Sequence, residues 1–170
     1  MTLRASRDQR RHGRSLWRRA RGDISPRMES SSSAARDTGH GARLLSAWER
    51  ISSKPGGRWL FSRMVGRFAP YTGSMRARVE ELEPGRAVVT LRDRRAVRNH
   101  LRSIHAIALA NLGELASGLA MTVALPPGVR GIPTRIEIDY LKKARGRIVA
   151  EGRATPPPVI GDGTDATATA

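Results

Sequence analysis

The chain contains no cysteine. Disulfide bonds and thiolate metal sites are therefore excluded, while the redox compartment stays open. Aromatic residues make up only 4% of the 170 residues. The core must be aliphatic and rather small, and a base-stacking platform for nucleic acid has little to be built from. Lysine is scarce: Lys54, Lys142 and Lys143 are the only three. Arginine thus supplies nearly all of the positive charge, and with few acidic residues to offset it the formal net charge is +16. Such a surface attracts nucleic acid, anionic lipid and phosphorylated ligands. Arginine-rich composition also follows from the codons of a genome rich in G and C. No apolar run follows the charged first residues as a secretory signal requires, and the expected location is the cytoplasm. The one long low-charge run, Ser103 to Val129, contains His105, Asn111 and Glu114. A buried helix of a soluble domain fits it better than a membrane span.

The length suits one domain of ordinary size with flexible ends. Residues 1–40 are rich in Arg and Ser without sustained periodicity and are expected to form a disordered basic leader. A solvated tail, or an extension upstream of a true start at Met28, is the simplest account. A transit peptide is opposed by Asp8, Asp23, Glu29 and Asp37, and a nucleic-acid-binding arm is a further option. Residues 41–155 form the expected domain, and 156–170 a disordered tail that offers no strand. A first helix is expected over 43–53, with Leu44, Leu45, Trp48 and Ile51 on one face, ended by Pro55-Gly56-Gly57. A second runs from about Arg58 to Phe68, with Leu60, Phe61, Met64, Val65 and Phe68 as its apolar face. Met75, Ala77 and Val79 alternate with charged residues and read as a strand. Pro84-Gly85 makes a turn, and Ala87 to Leu91 returns. After the central helix, Ile132, Thr134, Ile136, Ile138 and Tyr140 alternate with charged residues, which predicts a half-buried strand over 132–141. Arg145-Gly146-Arg147 turns the chain into a fourth strand, Ile148 to Ala154.

The central helix carries most of the functional information. Ser103 is a candidate N-cap, which would place His105 in the first turn of a helix running to about Ala124. Apolar and small residues recur on nearly every face, so burial on most sides is expected. Glu114 is the only acidic residue between Asp93 and Glu137. A carboxylate in that setting is costly unless paired, so it is either a functional group or half of a structural ion pair. His105 lies where free helix N–H groups converge, a place suited to stabilising a developing oxyanion, and equally to a capping or packing histidine. His105 and Glu114 are nine residues apart. On one helix that puts them half a turn out of phase and roughly 13 Å apart along the axis. A site using both must lie between two protomers.

The stretch from Asn99 through His105 to Glu114 resembles the signature of hotdog-fold thioesterases of the phenylacetic-acid-pathway type. In that family an Asn precedes a His-Gly-Gly turn, and an Asp or Glu follows nine residues after the His. The resemblance covers about Arg58 to Ala154 and is closest to an uncharacterised branch, a domain of unknown function, in which Ala106-Ile107 replaces Gly-Gly. It implies an α+β hotdog fold, an antiparallel sheet wrapped around one long helix, with the N-terminal helices beside it. It implies a homodimer with an acyl-coenzyme A or acyl-carrier thioester in the groove between protomers, and neither metal nor cofactor. Glu114 would be general base or nucleophile, with His105 and Asn99 at the matching site positions. The backbone N–H groups of Ala106 and Ile107 would polarise the carbonyl. Arg94, Arg95, Arg98 and Arg102 are candidates for the coenzyme A phosphates, alongside Arg92 in the same basic loop. The Cβ atoms of Ala106 and Ile107 crowd the approach where the family has glycine. The four strands counted are fewer than the fold requires, and a chain truncated or frameshifted after about Thr155 is the expectation. The leading functional reading is a thioesterase. The alternatives are a non-catalytic acyl-binding or dimerisation module on the same fold and, on charge alone, a basic nucleic-acid-binding protein.

Overall fold

The computed structural model describes residues 39–156, 158, 160 and 166–170. The expected leader, with Met28, lies outside the described residues except at Gly39 and His40, and part of the expected tail lies outside them too.

The described elements run α1 (His40–Ile51), α2 (Gly57–Phe68), α3 (Pro70–Ser74), β1 (Arg78–Glu83), β2 (Arg86–Leu91), a single 3-10 turn (Arg95–Val97), α4 (Ala106–Ala124), β3 (Ile148–Ala154) and β4 (Ala168–Thr169). The strands form one antiparallel sheet in the order β1-β2-β3-β4. One face of α4 lies on this sheet. Its Leu112, Ala116, Leu119, Ala120 and Val123, spaced by threes and fours, are buried against Val79, Leu82, Ala87, Val89 and Leu91. Helices α1 and α2 close the far side, where the buried rings of Trp48 and Phe61 meet edge to face at 5.1 Å.

Two glycines set the geometry of this packing. Gly85 takes φ +80 in the β1–β2 turn, and its N–H donates to the Ala120 carbonyl at 3.2 Å, tying the hairpin to the helix. Gly152 brings β3 against α4 so closely that an added Cβ would stand 2.2 Å from the carbonyl carbon and oxygen of Ala116. In β1 the pairing slips at Glu80: Val79 faces Val89 while Glu81 faces Val88. This bulge resets the alternation, so Val79 and Leu82, three residues apart, both point into the core. The displaced Glu80 carboxylate accepts from Thr90 Oγ1 at 3.0 Å and Arg147 Nη2 at 2.9 Å, and lies within ion-pair range of Arg58 and Arg78.

Several expectations are corrected. The segment 132–141 extends but joins no ladder, and all its residues are exposed, Ile132 at 83% and Leu141 at 91%. A strand exists only where a neighbour supplies hydrogen bonds, and the outer edge of β3 is paired only at Arg153 and Ala154. That pairing comes from the tail, expected to contain no strand, which contributes β4. Helix α4 is not buried on most sides. The sheet covers one face, and Ile107, Glu114 and Gly118 on the other are exposed. Glu114 therefore stands in the open and not in an apolar setting. Leu60 and Phe68 of α2 are likewise exposed, Phe68 at 76%, because only Phe61, Met64 and Val65 reach the core. By length and composition α4 could cross a bilayer, but its buried face is the centre of this domain's core.

Candidate active site at the start of the central helix

The loop between β2 and α4 is held from several directions. Asp93 Oδ1 accepts from Arg98 Nε at 2.6 Å, and Oδ2 accepts from the Gly146 N–H at 3.0 Å. The Arg98 guanidinium first, then the Gly146 amide, hold the Asp93 carboxyl below the usual carboxylate range. Asn99 organises the next turn. Its Oδ1 accepts from the Leu101 N–H at 2.9 Å and from both the N–H and the hydroxyl of Ser103 at 3.2 Å. Arg102 completes this turn with φ 54, a left-handed backbone.

Ser103 is thus buried under Asn99 and does not cap the helix. Ile104 is held extended: it bridges Arg98, and its N–H donates to the Ala144 carbonyl at 2.9 Å. The cap falls two residues later, on His105. The His105 N–H donates to the Val97 carbonyl at 2.8 Å, and Nδ1 accepts from the Ile107 N–H at 3.1 Å. An accepting Nδ1 carries no proton, so the neutral ring carries its proton on Nε2. Of the two amides expected to polarise a carbonyl, that of Ile107 is occupied by the histidine. The Ala106 N–H makes no hydrogen bond among the described residues. The Ala106 carbonyl accepts from Tyr140 Oη at 3.0 Å, which pins the unladdered 132–141 segment to the start of the helix.

Beside this helix start lies a cleft of about 350 Å³. Its walls are α3, the 3-10 turn and the first two turns of α4; Tyr71, Met75, Val97, His105 and Asn111 line it. The expected site residues divide around it. His105 and Arg98 line the cleft, and the Asn99 turn sets the register of the helix entry. Glu114 lies on the exposed face further along α4, without an ion pair or side-chain hydrogen bond among the described residues. Helix geometry keeps it roughly 13 Å from His105 along the axis. Of the four arginines, Arg94 donates to the carbonyls of Ser74 at 2.9 Å and Met75 at 2.5 Å, and Arg98 is paired with Asp93. Arg95 and Arg102 are exposed and make no side-chain hydrogen bond or ion pair among the described residues. No grouping of His, Asp and Glu among the described residues has the arrangement of a metal site.

Tyr71, Thr72 and Asn111 were not singled out from the sequence. Helix α3 is too short for periodicity to reveal it, although Pro70 at its first turn is a start signal. Asn111 had a visible signal: an amide inside an otherwise apolar run, in the row His105, Ala108, Asn111 at steps of three.

An antiparallel sheet wrapped on one long helix, with a tight Asn-ordered turn feeding a histidine at the helix start, defines a hotdog fold. A crystal structure solved as a genomics target is similar at 38% identity and TM-score 0.55, covering 67% of this chain and 73% of the other. A thioesterase family protein from Silicibacter pomeroyi shares the fold at 20% identity and TM-score 0.52, covering 56% and 71%. The model of the family described as "Domain of unknown function (DUF4442)" matches residues 57–169, and the chain belongs to that family. No curated protein matches.

Proposed function

We propose that this chain is an acyl-thioester hydrolase whose site is completed by a second copy of itself. The observation that carries the reading is the Ala106 N–H at the helix start, unpaired among the described residues and next to His105, which lines the cleft. A thioester carbonyl oxygen that accepts from this amide gains negative charge in the transition state, where a fixed backbone donor and the positive helix end act together. The Glu114 carboxylate takes a proton from water. The resulting hydroxide adds to the carbonyl carbon, the C–S bond breaks, and the thiolate leaves and is protonated. Since one helix holds His105 and Glu114 far apart, the carboxylate comes from the other protomer of a homodimer. The exposed Glu114 face of α4 is free to meet one. In this reading the exposed Arg95 and Arg102 meet the phosphates of coenzyme A, and Arg94 and Arg98 mainly shape the loop. The cytoplasm is the proposed location.

A second reading is favoured by one feature. The Ile107 side chain is 53% exposed at the cleft, where it narrows access to the carbonyl, and the Ile107 amide is already taken. A non-catalytic acyl-binding module has the same architecture. Free-thiol release from a panel of acyl-coenzyme A esters separates the two. The enzyme reading expects turnover that falls by at least about a hundredfold in Glu114→Ala, the scale of a lost general base. Binding without turnover by a folded dimer would establish the module instead.

A further inference from the structure

The floor of the cleft holds a polar group that the proposed hydrolysis does not use. Asn111 is buried, with 8% of its surface exposed, yet it lines the cleft. Its Oδ1 accepts from the Thr72 hydroxyl at 3.0 Å. In this arrangement the amide oxygen is turned to α3, and the Nδ2 donors are turned away from it. Nδ2 makes no hydrogen bond among the described residues. Nor is it sealed from solvent, because no sealed side-chain N or O atom among the described residues lacks a partner. It therefore keeps access to solvent, and Asn111 lines the cleft together with Tyr71, Met75 and Val97.

We infer that Asn111 is a specificity-determining residue, donating from Nδ2 to an oxygen carried on the acyl part of the ligand, so that the cleft selects hydroxy- or oxo-acyl groups over plain alkyl chains. The inference rests on the thioester reading for the position of the carbonyl. Ala106 and Asn111 are five residues apart, about 7.5 Å along the helix axis. An acyl chain of a few carbons whose carbonyl accepts from the Ala106 amide runs along the row of Ala108 toward Asn111. A plain alkyl chain entering there strips water from Nδ2 and leaves it unpaired. A chain with an acceptor oxygen replaces the lost water. A site built around a buried donor rejects the analogue that lacks the acceptor far better than an apolar pocket rejects an extra methylene. Thr72 is a positioning residue: its hydroxyl is the partner that holds the amide against α3.

The test compares butyryl- and 3-hydroxybutyryl-coenzyme A on the full-length protein, measuring both thiol release and equilibrium binding. The expected preference for the hydroxylated ester is about ten- to a hundredfold, the worth of one buried donor satisfied against unsatisfied. Asn111→Leu abolishes it. Thr72→Val, a change at a half-buried position, reduces it even if Asn111→Leu fails to fold, and Thr72→Ser restores it. A preference of this size in binding alone, lost in Asn111→Leu or Thr72→Val, upholds the inference while ending the hydrolase reading. Turnover that does not distinguish the two esters, or a preference in turnover untouched by both variants, overturns the inference and leaves hydrolysis standing; binding alone that does not distinguish them overturns both. Neither binding nor turnover of either ester overturns both.

Discussion

Gly152→Ala adds one methyl group at the closest approach between the sheet and the central helix. Its Cβ would stand 2.2 Å from the carbonyl carbon and oxygen of Ala116 and 2.5 Å from the Ser117 nitrogen. Ordinary contact begins near 3.4 Å, so a shift of more than 1 Å is needed, and both sides of the contact are backbone. Neither side yields easily: β3 is laddered to β2 from Ile148 to Arg153, and α4 has its neighbours Leu112, Leu119 and Ala120 buried in the same core. Forced overpacking of this kind costs about 1–3 kcal/mol and sometimes more. The reduced freedom of the unfolded chain returns only about 0.4–1 kcal/mol. A net loss of about 1–2 kcal/mol is expected, which lowers the melting temperature by roughly 5 °C for a domain of this size. Gly118→Ala is the control. It sits on the exposed face of the same helix with nothing within 4 Å of the added atom, and should gain about 0.5–1 kcal/mol from helix propensity. Both are read by thermal melts followed at the helical circular dichroism signal. A Gly152→Ala protein that melts with or above the parent would refute the close packing of β3 on Ala116.

Phe61→Ala should destabilise by about 3–5 kcal/mol, since the ring is fully buried against Trp48; denaturant titration reads it, and a loss below 1 kcal/mol would contradict the packing of α2. The Asp93–Arg98 pair makes stability pH-dependent. The Asp93 carboxyl titrates below its ordinary range in the fold, so its contribution is present above that range and is lost as pH falls through the lowered folded value. The parent should therefore melt above Asp93→Asn at about pH 6 and converge with it in acid, below the ordinary carboxylate range; a gap that persists in strong acid would rule the pair out as its source. Glu114→Ala should melt close to the parent, because an exposed side chain with no partner among the described residues stabilises little, so any lost thiol release reports on chemistry and not on folding.

Much of the fold was legible because its signals are periodic. The faces of α1, the Pro84-Gly85 hairpin, the long apolar run of α4 and the strand from Ile148 all follow from spacing or turn chemistry. The failures share a cause: they depend on a neighbour that local sequence does not name. Alternation over 132–141 marks residues suited to a strand, but no local pattern supplies the partner. The exposure of Glu114 and Phe68 depends on which face the sheet happens to cover. At the site, the Asn99-to-His105 turn was legible through its resemblance, yet the cap moved from Ser103 to His105 because Arg98 and Ala144 hold Ile104 extended. Asn111 was passed over because a lone amide on an apolar helix looks like a misfit until Thr72 is brought to it from 39 residues away.

The bulge at Glu80 makes the first hairpin intolerant of a particular kind of change. With the extra residue, Val79 and Leu82 face the same way. Shortening β1 by one residue at that point would restore strict alternation and swing either Val79 or Leu82 out to solvent. The hub that joins Arg58 of α2, Thr90 of β2 and Arg147 before β3 would lose its centre in the same step. Point substitutions along the hairpin are thus a matter of degree, whereas a single-codon deletion there decides which side of the sheet is inside.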